Sequence, residues 1–577
     1  MLAILVLTAT ACGTSGPGAT PSTEPPTSPA TTTTAGTSRP TTTTSVRSST
    51  TSTSTATIPP TTTSTAAGTT TTSTAAGTTT TTAAPPLEVP ETVEIVISEP
   101  AGIRTLDPTH SDGSGRDAPV LTTVYETLAW TSPSGEVLPR LATGWTISQD
   151  RRTYTFHLRQ GVRFHNGADF TAEDVVYSVT RAFTGGSPVV RQRTRNLRGV
   201  TAADDYTVVF ELREPSNAFL FDVADPTGTG FASILTETAP AHGEVPVGTG
   251  PFRFVSHVPG SELVLEPNPD YWDPSALPGY ELLRVHIIED EGDRVATLEA
   301  GEVGLIRTDT TEVAALLAGN PLLEVVGTPA WTIWLHAART GSTADGAVVR
   351  AAWLSLDRQR LADLAFAGEA APWSTSHPLL AYGRGPDELP GYQRDVEAAA
   401  QLLAEAGYEH GISLELPYPV QDRYPDGFFE VLVAGWADAG ITVEPVPVDR
   451  VTWLARLVTA DYDLTVTRHG WYANPYRYLL PRPGWQAPPE EVLPELVPAL
   501  ADLATASDED RPDAFRRVQL LEAEHGYPFT GVVYVNSHYV YRTDLIEDAD
   551  PTGSVTGDRR DLYLSLVEAG SVSPPSE

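Results

Sequence analysis

The chain has 577 residues, a formal net charge of −36, one cysteine and no lysine. Its length exceeds that of one ordinary domain. The acidic balance argues against a nucleic-acid partner, because proteins that bind a phosphate backbone concentrate cations. Self-repulsion that keeps the protein soluble is the simplest explanation of the charge. The absence of lysine excludes Schiff-base chemistry and P-loop nucleotide binding, and a single cysteine excludes intramolecular disulfides.

The first twelve residues, MLAILVLTATAC, form an apolar run that ends in small residues before Cys12. The run Leu2–Leu7 is too short to span a membrane, and no other segment is long and apolar enough to do so. Ala9–Cys12 is similar to a lipobox, although no Lys or Arg precedes the run and Ala9 stands where leucine is usual. We expect a lipoprotein signal peptide at 1–12 with Cys12 as the lipid-modified residue. The alternative is an incidental cysteine.

Residues 13–92 consist almost entirely of Thr, Ser, Pro, Ala and Gly, and TTSTAAGTT occurs at both Thr62–Thr70 and Thr71–Thr79. Such a segment has little apolar surface to bury and cannot offset the entropy cost of ordering. We expect a disordered linker whose composition is typical of O-glycosylated, mucin-like stalks. Its r.m.s. span would be on the order of 50 Å, which is enough to lift a folded domain away from a membrane.

The clearest local pattern in the remaining chain is Thr153–Phe183. Apolar and polar residues alternate at its start, which predicts a half-buried strand. A Gly turn and a second short strand are expected between the first strand and the helix, and Asn166-Gly167 is a turn dipeptide. Thr171 followed by Asp174 is typical of a helix N-terminus with a capping box, and a helical stripe of valines follows. This segment therefore predicts a small α/β unit.

The same periodicities predict elements along the rest of the folded part. Helices are expected at Ala118–Leu128, Ala172–Phe183, Arg294–Ala300, Asp345–Leu356, Val396–Ala406, Gly427–Ala439 and Pro512–Glu524. Strands are expected at Val93–Ser98, Thr207–Leu212, Pro251–Val255, Glu262–Glu266, Leu283–Ile288, Leu322–Val326, Thr332–His336, Ser413–Leu416, Thr442–Pro445 and Asp463–Thr467. Strands and helices alternate most regularly between about 390 and 470. That order predicts an α/β lobe around a mainly parallel sheet.

One long segment and eight further sequence blocks carry a family resemblance. The segment YTFHLRQGVRFHNGADFTAEDVVYS resembles a characteristic stretch of the family 5 extracellular solute-binding proteins. The other blocks, in family order, are LDP at Leu106–Pro108, VYETLAW at Val124–Trp130, LPRLATGWTIS at Leu138–Ser148, GTGPFRF at Gly248–Phe254, LEPNPDYWDP at Leu265–Pro274, LEAGEVGLI at Leu298–Ile306, VRAAWLSLDRQRL at Val349–Leu361 and AAAQLLAEAGY at Ala398–Tyr408. The resemblance covers most of the chain after about residue 93.

The resemblance implies a receptor of an ATP-driven (ABC) importer of the peptide or nickel type, with no enzymatic activity and no cofactor. It implies a two-lobed, periplasmic-binding-protein-like α/β fold of type II, in the large class with an extra subdomain. Lobe I would comprise 93–124, 215–330 and 537–577, the inserted subdomain 125–214, and lobe II 331–536. The chain would cross between the lobes near Pro329 and Asn536 and bind a small-molecule or peptide ligand in the cleft. The implied partners are an ABC permease and its ATPase subunits, and a monomer is expected.

The segment RHGWYANP at Arg468–Pro475 resembles the family stretch in which a Trp is followed, three residues later, by an Asp that holds the ligand's α-amino group. Trp471 keeps the aromatic position, but Asn474 stands at the position of the Asp. A neutral amide pairs with an ammonium more weakly than a carboxylate does. We therefore expect a preference for ligands with a blocked or absent amine, unless a neighbouring carboxylate such as Asp463 replaces the missing charge.

Further candidate ligand contacts are Asp112, Arg307, Asp309, Trp331 and Arg468. Asp112 matches an acidic, ligand-facing position of some relatives; the alternative is a solvated loop residue. Arg307 and Asp309 follow the GEVGLI block. Trp331 lies on the first strand of lobe II, and Arg468 could pair with a ligand carboxylate or balance local charge. The twelve histidines show no HExxH or cysteine cluster, so no metal site is expected.

Two other functions remain open at this point. A secreted hydrolase on a mucin-like stalk would need a nucleophile and a base, and the chain has no GxSxG elbow. Paired carboxylates cannot be discounted from sequence, so this alternative stands. A receptor domain used for signalling or adhesion is the second alternative. Only neighbouring permease genes would separate it from transport.

Overall fold

The computed structural model describes residues 94–111, 116–132, 134–225, 233–239, 242–374, 382–422, 424–470, 494–525, 529–550 and 560–568. The expected signal peptide, Cys12 and the expected stalk lie outside these residues. The described residues belong to one compact unit, which begins after Leu87. Among the described residues, no helix combines the length and the apolar character that a bilayer crossing requires.

Strands and short helices alternate along the described chain. The strands are β1 Glu94–Glu99, β2 Ala129–Thr131, β3 Val137–Pro139, β4 Ala142–Ile147, β5 Thr153–Leu158, β6 Leu197–Asp204, β7 Thr207–Leu212, β8 Phe252–Val258, β9 Glu262–Pro267, β10 Leu282–Ile287, β11 Leu305–Thr308, β12 Leu323–Ala337, β13 Ala370–Pro372, β14 Ile412–Pro419, β15 Ile441–Val448, β16 Leu464–Gly470, β17 Phe529–Arg542, β18 Ile546–Asp548 and β19 Val567–Glu568. The helices are α1 Ala118–Leu121, α2 Ala172–Gly185, α3 Pro188–Thr194, α4 Ala218–Asp222, α5 Glu291–Ala300, α6 Thr311–Leu317, α7 Gly346–Leu354, α8 Arg358–Ala365, α9 Val396–Glu405, α10 Phe428–Ala437, α11 Arg450–Thr459, α12 Leu496–Thr505, α13 Arg511–His525 and α14 Arg560–Ser565.

One large mixed sheet runs through most of the chain. Its strand order is β16-β12-β17-β11-β1-β10-β9-β8, and β13 pairs with β17 beside this path. β1 pairs in parallel with β10 and β11, whereas the other pairs in this sheet are antiparallel. The sheet brings strands from residue 94 to residue 542 side by side, so it places distant parts of the sequence in one surface.

The two longest described strands, β12 and β17, lie next to each other, one strand in from the β16 edge of this sheet. Their antiparallel register pairs Leu323 with Arg542 at one end and His336 with Phe529 at the other. The register shifts between Pro329 and Trp331, where proline cannot donate a ladder hydrogen bond. The expected strands Leu322–Val326 and Thr332–His336 are therefore two parts of one irregular strand.

A separate antiparallel sheet, β4-β5-β7-β6, lies within residues 142–212 and carries α2. The predicted alternation in β5 is confirmed, since Tyr154, Phe156 and Leu158 are buried. The predicted capping box is also present, because the Thr171 backbone N–H donates to the Asp174 carboxylate at 2.9 Å. The second short strand expected before this helix is wrong, because only an isolated bridge from Arg163 to Asp169 occurs there.

The helix expected at Ala118–Leu128 ends much earlier, at Leu121. The backbone after it is engaged elsewhere. The Gly250 N–H donates to the Val124 carbonyl at 3.0 Å, and the Phe252 N–H donates to the Thr123 carbonyl at 3.3 Å. These carbonyls accept hydrogen bonds from the GTGPF segment and not from a further helical turn. Tertiary contacts therefore override the local helical pattern.

The prediction of a mainly parallel sheet between about 390 and 470 is wrong, because the observed parallel sheet is much smaller. Only β14 and β15, which flank α10, pair in parallel, over Ile412–Pro419 and Ile441–Val448. β16, the strand that follows β15 in the chain, does not join β14 and β15. It pairs antiparallel with β12 and so belongs to the large sheet. Apolar side chains from α7 to α10 and from β12, β14 and β16 form one core beside this region.

Candidate functional site

Four of the predicted ligand contacts come together where β11, β12, β16 and β17 meet. Arg307 lies on β11, and Asp309 follows its last residue. Trp331 lies on β12 and pairs in register with Gly470 of β16, two residues beyond Arg468. Because β17 separates β11 from β12 in the sheet, these residues approach one another only through long-range strand pairing. The site thus joins residues assigned to both expected lobes.

Asp309 is the centre of the cluster. The Arg307 guanidinium donates to both of its carboxylate oxygens, with Nη2 at 3.2 Å from Oδ1 and 3.3 Å from Oδ2. The Ser537 hydroxyl, on β17, also donates to Oδ1. Burial alone would raise the pKa of the Asp309 carboxyl, but the charges of Arg307 and Arg468 and the Ser537 hydrogen bond hold that pKa well below its usual range. Asp309 is therefore ionised and already satisfied.

Arg468 is placed differently from Arg307. Its guanidinium carbon lies 4.4 Å from the centre of the Trp331 ring, and its Nη2 is 3.7 Å from Asp309 Oδ2. That distance is too long for a hydrogen bond. Among the described residues, no side chain or backbone oxygen accepts a hydrogen bond from the Arg468 guanidinium, and the side chain is 23% exposed. The aromatic ring therefore fixes the plane of a cation whose donors no described residue occupies.

Trp331 supports both arginines. The Arg307 guanidinium carbon lies 5.6 Å from the centre of the same ring, and the tryptophan packs at the edge of the core formed by β12 and β16. The Trp331 indole N–H also helps to lower the pKa of Asp309, although its geometry falls short of a hydrogen bond. A face of an aromatic ring under a guanidinium is a favourable cation–π arrangement.

The sequence analysis missed three residues that border this cluster. Ser537 holds Asp309, as described above. On the same strand, the His538 imidazole lies 3.2 Å from the Glu369 carboxylate, and the Asn536 N–H donates to the Glu369 carbonyl at 3.3 Å. No strand was predicted in this region, although VVYVNSHYVY alternates in a way that would have indicated one.

Several other tryptophans and histidines have purely structural surroundings. Trp334 is buried against Trp373, with ring centres 4.5 Å apart. His336 is buried and lies 2.9 Å from the Thr467 hydroxyl. His165 contacts the Gly250 carbonyl at 2.9 Å. Asp112, Trp471 and Asn474 lie outside the described residues. In the part of the chain that the structure describes, no group of three or more His, Cys, Asp or Glu is placed to hold a metal ion.

A family model matches residues 136–484, which is more than half of the chain: bacterial extracellular solute-binding proteins, family 5, middle part. The chain belongs to this family. The family resemblance predicted from the sequence is thereby confirmed, and the family is one of binding proteins and not of enzymes.

Curated relatives support the same family. The glutathione-binding protein GsiB of Salmonella typhimurium is 31% identical over 328 residues, which cover 56% of this chain and 63% of that protein. Heme-binding protein A of Haemophilus influenzae is 28% identical over 375 residues, covering 59% and 66%. Di/tripeptide-binding protein 2 of Pseudomonas aeruginosa is 30% identical over 321 residues, covering 51% and 60%. The chain thus spans about three fifths of the length of these relatives.

Solved structures match over a longer part of the chain. The periplasmic binding protein DppA of Helicobacter pylori, in complex with the peptide STSA, has a TM-score of 0.65 at 22% identity and covers 81% of this chain and 97% of that one. HbpA2 of Haemophilus parasuis has a TM-score of 0.69 at 21% identity, covering 82% and 99%. These matches confirm the predicted α/β, periplasmic-binding-protein-like fold.

Proposed function

We propose that this protein is the extracytoplasmic substrate-binding component of an ABC importer. It captures a small polar solute, a peptide or a peptide-like molecule, and delivers it to a membrane permease that works with ATPase subunits. Family membership supports the receptor class. The relatives named for glutathione or for di- and tripeptides, and the DppA structure with a bound peptide, support the chemical class of the solute.

The observation that carries the proposal is the cluster of Arg307, Asp309, Trp331 and Arg468. It unites residues that are far apart in sequence, at the meeting point of the strands expected to connect the two lobes. Aromatic surface combined with a few oriented charged groups is the usual composition of a small-molecule site. We infer that lobe I comprises 93–124, 215–330 and 537–577, that lobe II comprises 331–536, and that Asp112, Trp471 and Asn474 complete the cleft between them.

The proposal also covers the location of the receptor in the cell envelope. Cys12 would carry a lipid that anchors a monomeric receptor to the outer face of the cell membrane, and residues 13–92 would form a flexible stalk. The acylation signal and the Thr-rich composition support this arrangement. Such a stalk would allow the folded part to search for solute and then dock on the permease.

The receptor function is tested with the full-length protein isolated gently. Native mass spectrometry is expected to find a small solute bound at one per chain, and calorimetric titration with di- to pentapeptides is expected to give saturable 1:1 binding. Trp331→Phe should weaken binding, because it removes part of the aromatic platform under Arg468. The control is Trp145→Phe, on β4 of the separate sheet. No bound solute and no peptide binding would contradict the proposed function.

A further inference from the structure

Helix α11 carries two apolar stripes, and only one of them faces the core. Trp453 and Leu457 are buried and pack with Tyr462 in a small cluster. On the outward side, Val451 and Val458 are 77% and 74% exposed, and Leu454 between them is 43% exposed. Among the described residues, no other helix presents more than one exposed large apolar side chain. The fold uses the inner stripe of α11 and leaves the outer one in solvent.

The outer stripe has the spacing of a binding face. Together with Ala455, which is also exposed, it occupies positions i, i+3, i+4 and i+7 counted from Val451. These positions lie on one side of a helix, and they are the anchors by which an amphipathic helix enters an apolar groove. Valine is a poor helix former and gains nothing from contact with water, so neither helix propensity nor solubility accounts for the two exposed valines. A contact with another molecule would account for them.

α11 is joined to the surroundings of the candidate site at two points. The Trp453 indole N–H donates to the Thr465 hydroxyl at 3.0 Å, and Thr465 lies on β16, three residues before Arg468. At the start of the helix, the Arg450 guanidinium donates to the Asp422 carboxylate. Burial raises the pKa of Asp422, and the charges of Arg450 and Arg468 act against that rise. The outer stripe thus belongs to an element that is fixed to a strand of the candidate site.

The charges on α11 disfavour a lipid surface as the partner of the stripe. A helix that lies in a membrane interface is rich in Lys and Arg on its polar face. α11 has no lysine, and both of its arginines are engaged within the protein. Arg450 binds Asp422, and Arg456 Nη1 is 2.6 Å from the Glu415 carboxylate. A chain with a net charge of −36 is also repelled by anionic lipid head groups.

The size of the stripe and the charge of the chain disfavour a second copy of this protein. A ten-residue helix is about 15 Å long and about 10 Å wide, so its footprint is far below the roughly 800 Å² that each partner of a stable dimer contributes. Two chains with a net charge of −36 also repel each other. The acids that flank the helix, Asp449 and Asp461, are exposed. A small apolar face between exposed acids fits brief docking on a groove with a basic rim.

We propose that the outer stripe of α11, formed by Val451, Leu454, Ala455 and Val458, docks in an apolar groove with a basic rim on the extracytoplasmic face of the permease. This inference rests on the proposed function and names the surface through which the receptor meets its membrane partner. Because α11 is fixed to β16, the permease contacts an element that adjoins the candidate ligand site. Solute binding and docking thus use different faces of one helix-and-strand unit.

The test separates docking from solute binding with a double variant of the full-length protein, Val451→Gln and Val458→Gln. Glutamine is a good helix former and both positions are exposed, so the melting temperature should not fall. Calorimetric titration with di- to pentapeptides should give the same affinity as for the wild type. Uptake of the same peptides, isotopically labelled, by cells that contain only the variant receptor should fall by at least about 10-fold, because two anchors of the docking face are lost.

A matched control and a direct contact measurement accompany the double variant. Leu316→Gln on α6 replaces a leucine that is 76% exposed, so it removes similar apolar surface from another helix and should leave uptake unchanged. A photo-reactive amino acid in place of Leu454 should cross-link, in isolated membranes, to a polytopic membrane protein that co-purifies with an ATPase. The yield should fall in the double-variant background, and it should also fall as salt screens the charges at the rim.

Each result decides the proposal. Unchanged peptide affinity with reduced uptake and a reduced cross-link in the double variant supports docking through α11. Normal uptake by the double variant, or a loss of its peptide affinity, overturns docking through α11 and leaves the receptor function standing. No peptide binding and no uptake by the wild type overturn the proposed function and the docking surface with it.

The two other occupants of the stripe are outcomes of the same variants. A concentration-dependent dimer of the wild type that the double variant loses, measured by sedimentation, assigns the stripe to a second copy. Binding of the full-length Cys12→Ser protein to phosphatidylglycerol vesicles that the two glutamine substitutions abolish assigns it to lipid. Either result overturns docking on the permease through α11.

Discussion

Pro329 of β12 lies directly opposite Asn536 of β17 in the antiparallel pairing of these strands. These are the positions at which the sequence places the two crossings between lobes. The register of the pair is irregular immediately after Pro329, and the residues that follow Asn536, Ser537 and His538, contact Asp309 and Glu369. The two expected crossings therefore lie on adjacent, hydrogen-bonded strands, and the candidate site lies beside them.

Gly248 is expected to tolerate no side chain. A Cβ at this position would collide with the Val124 carbonyl oxygen, and the Gly248 carbonyl also receives the His165 N–H at 2.9 Å. Because backbone cannot move aside easily, Gly248→Ala should lower the free energy of unfolding by about 1–3 kcal/mol. Urea unfolding measures the effect. Gly199→Ala is the control, since a Cβ there meets no atom within 4 Å; equal effects of the two substitutions would show that the predicted collision is not real.

The ion pair between Asp107 and Arg181 is expected to stabilise the contact between α2 and the turn at Pro108–His110. Arg181 Nη1 is 2.8 Å from one carboxylate oxygen of Asp107, and Nη2 is 2.5 Å from the other. Burial opposes the charge of Asp107, but Arg181 and Thr109 lower its pKa to about 2. Asp107→Asn should cost about 3 kcal/mol of unfolding free energy, because it leaves Arg181 partly buried without its counter-charge.

The control for this pair is Arg152→Gln, which removes an exposed ion pair with Glu214. Such pairs contribute about 0–1 kcal/mol. Chemical denaturation of both variants at neutral pH gives the comparison. A loss in Asp107→Asn no larger than that in Arg152→Gln would contradict the assigned role of the Asp107 pair.

Arg358 is buried, and the acceptors around its guanidinium are neutral oxygens. Its guanidinium donates to the carbonyls of Gly531, Trp353 and Tyr392 and to the Thr530 hydroxyl. Burial lowers the pKa of Arg358 to about 10, so it remains protonated at neutral pH. Arg358→Gln should cost about 2–4 kcal/mol, because several buried acceptors lose a charged donor at once.

Arg360, two residues later on the same helix, provides the matched substitution. It is exposed, so Arg360→Gln should change the free energy of unfolding by less than about 0.5 kcal/mol. Thermal melting and urea titration of the two variants separate a buried structural role from a general effect of removing a charge. Similar stabilities of the two variants would rule out the structural role of Arg358.

His165 predicts a pH dependence of stability. Burial lowers the pKa of its imidazole to about 4, from an ordinary value of about 6.5. Between these values the unfolded chain binds more protons at this position than the folded chain does. The contribution of neutral His165 is therefore complete above about pH 6.5 and is lost as the pH falls towards 4.

The measurement is the difference in unfolding free energy between the wild type and His165→Gln, taken from pH 7 down to pH 4. Other titrating groups contribute equally to both proteins, so the difference isolates His165. We expect the advantage of the wild type to shrink as the pH falls. A constant or growing advantage would mean that His165 is not buried in its neutral form.

Cys12→Ser tests the anchor independently of ligand binding. If Cys12 carries a lipid, the variant should move from the membrane fraction to the medium, because no other covalent anchor is expected. Cell fractionation followed by immunoblotting measures the partition. Identical partition of the wild type and Cys12→Ser would contradict lipid anchoring.

A truncated protein that begins at Glu91 should still melt cooperatively if the stalk is independent of the fold.

Local patterns predicted much of the secondary structure. The strand Thr207–Leu212 was predicted with its observed bounds, and the helix expected from Val396 begins there, because an alternation of side chains or a capping Asp is encoded within a few residues. The family blocks predicted the fold class because most of them specify turns and packing. By contrast, β17 was missed, although it pairs with three other strands.

The candidate site was predicted only in part, for the same reason. Arg307, Asp309, Trp331 and Arg468 were each selected from sequence, but nothing local indicates that Arg307 holds Asp309 while Arg468 rests on Trp331. That arrangement depends on the register of β12 with both β16 and β17, whose residues lie more than 100 positions away in the chain. Ser537, which completes the surroundings of Asp309, could not be recognised without the strand that carries it.

The ladder between β12 and β17 has a consequence for how the molecule can move. Two separate loops would let the flanking halves slide, rotate or separate in many directions. Two strands joined by a ladder of hydrogen bonds resist stretching and shear, and they bend most easily across their common axis, at the irregular register after Pro329. We therefore expect motion through this connection to be mainly a bend at that position. The same bend would change the distance between Asp309 and Arg468, which approach it from opposite sides.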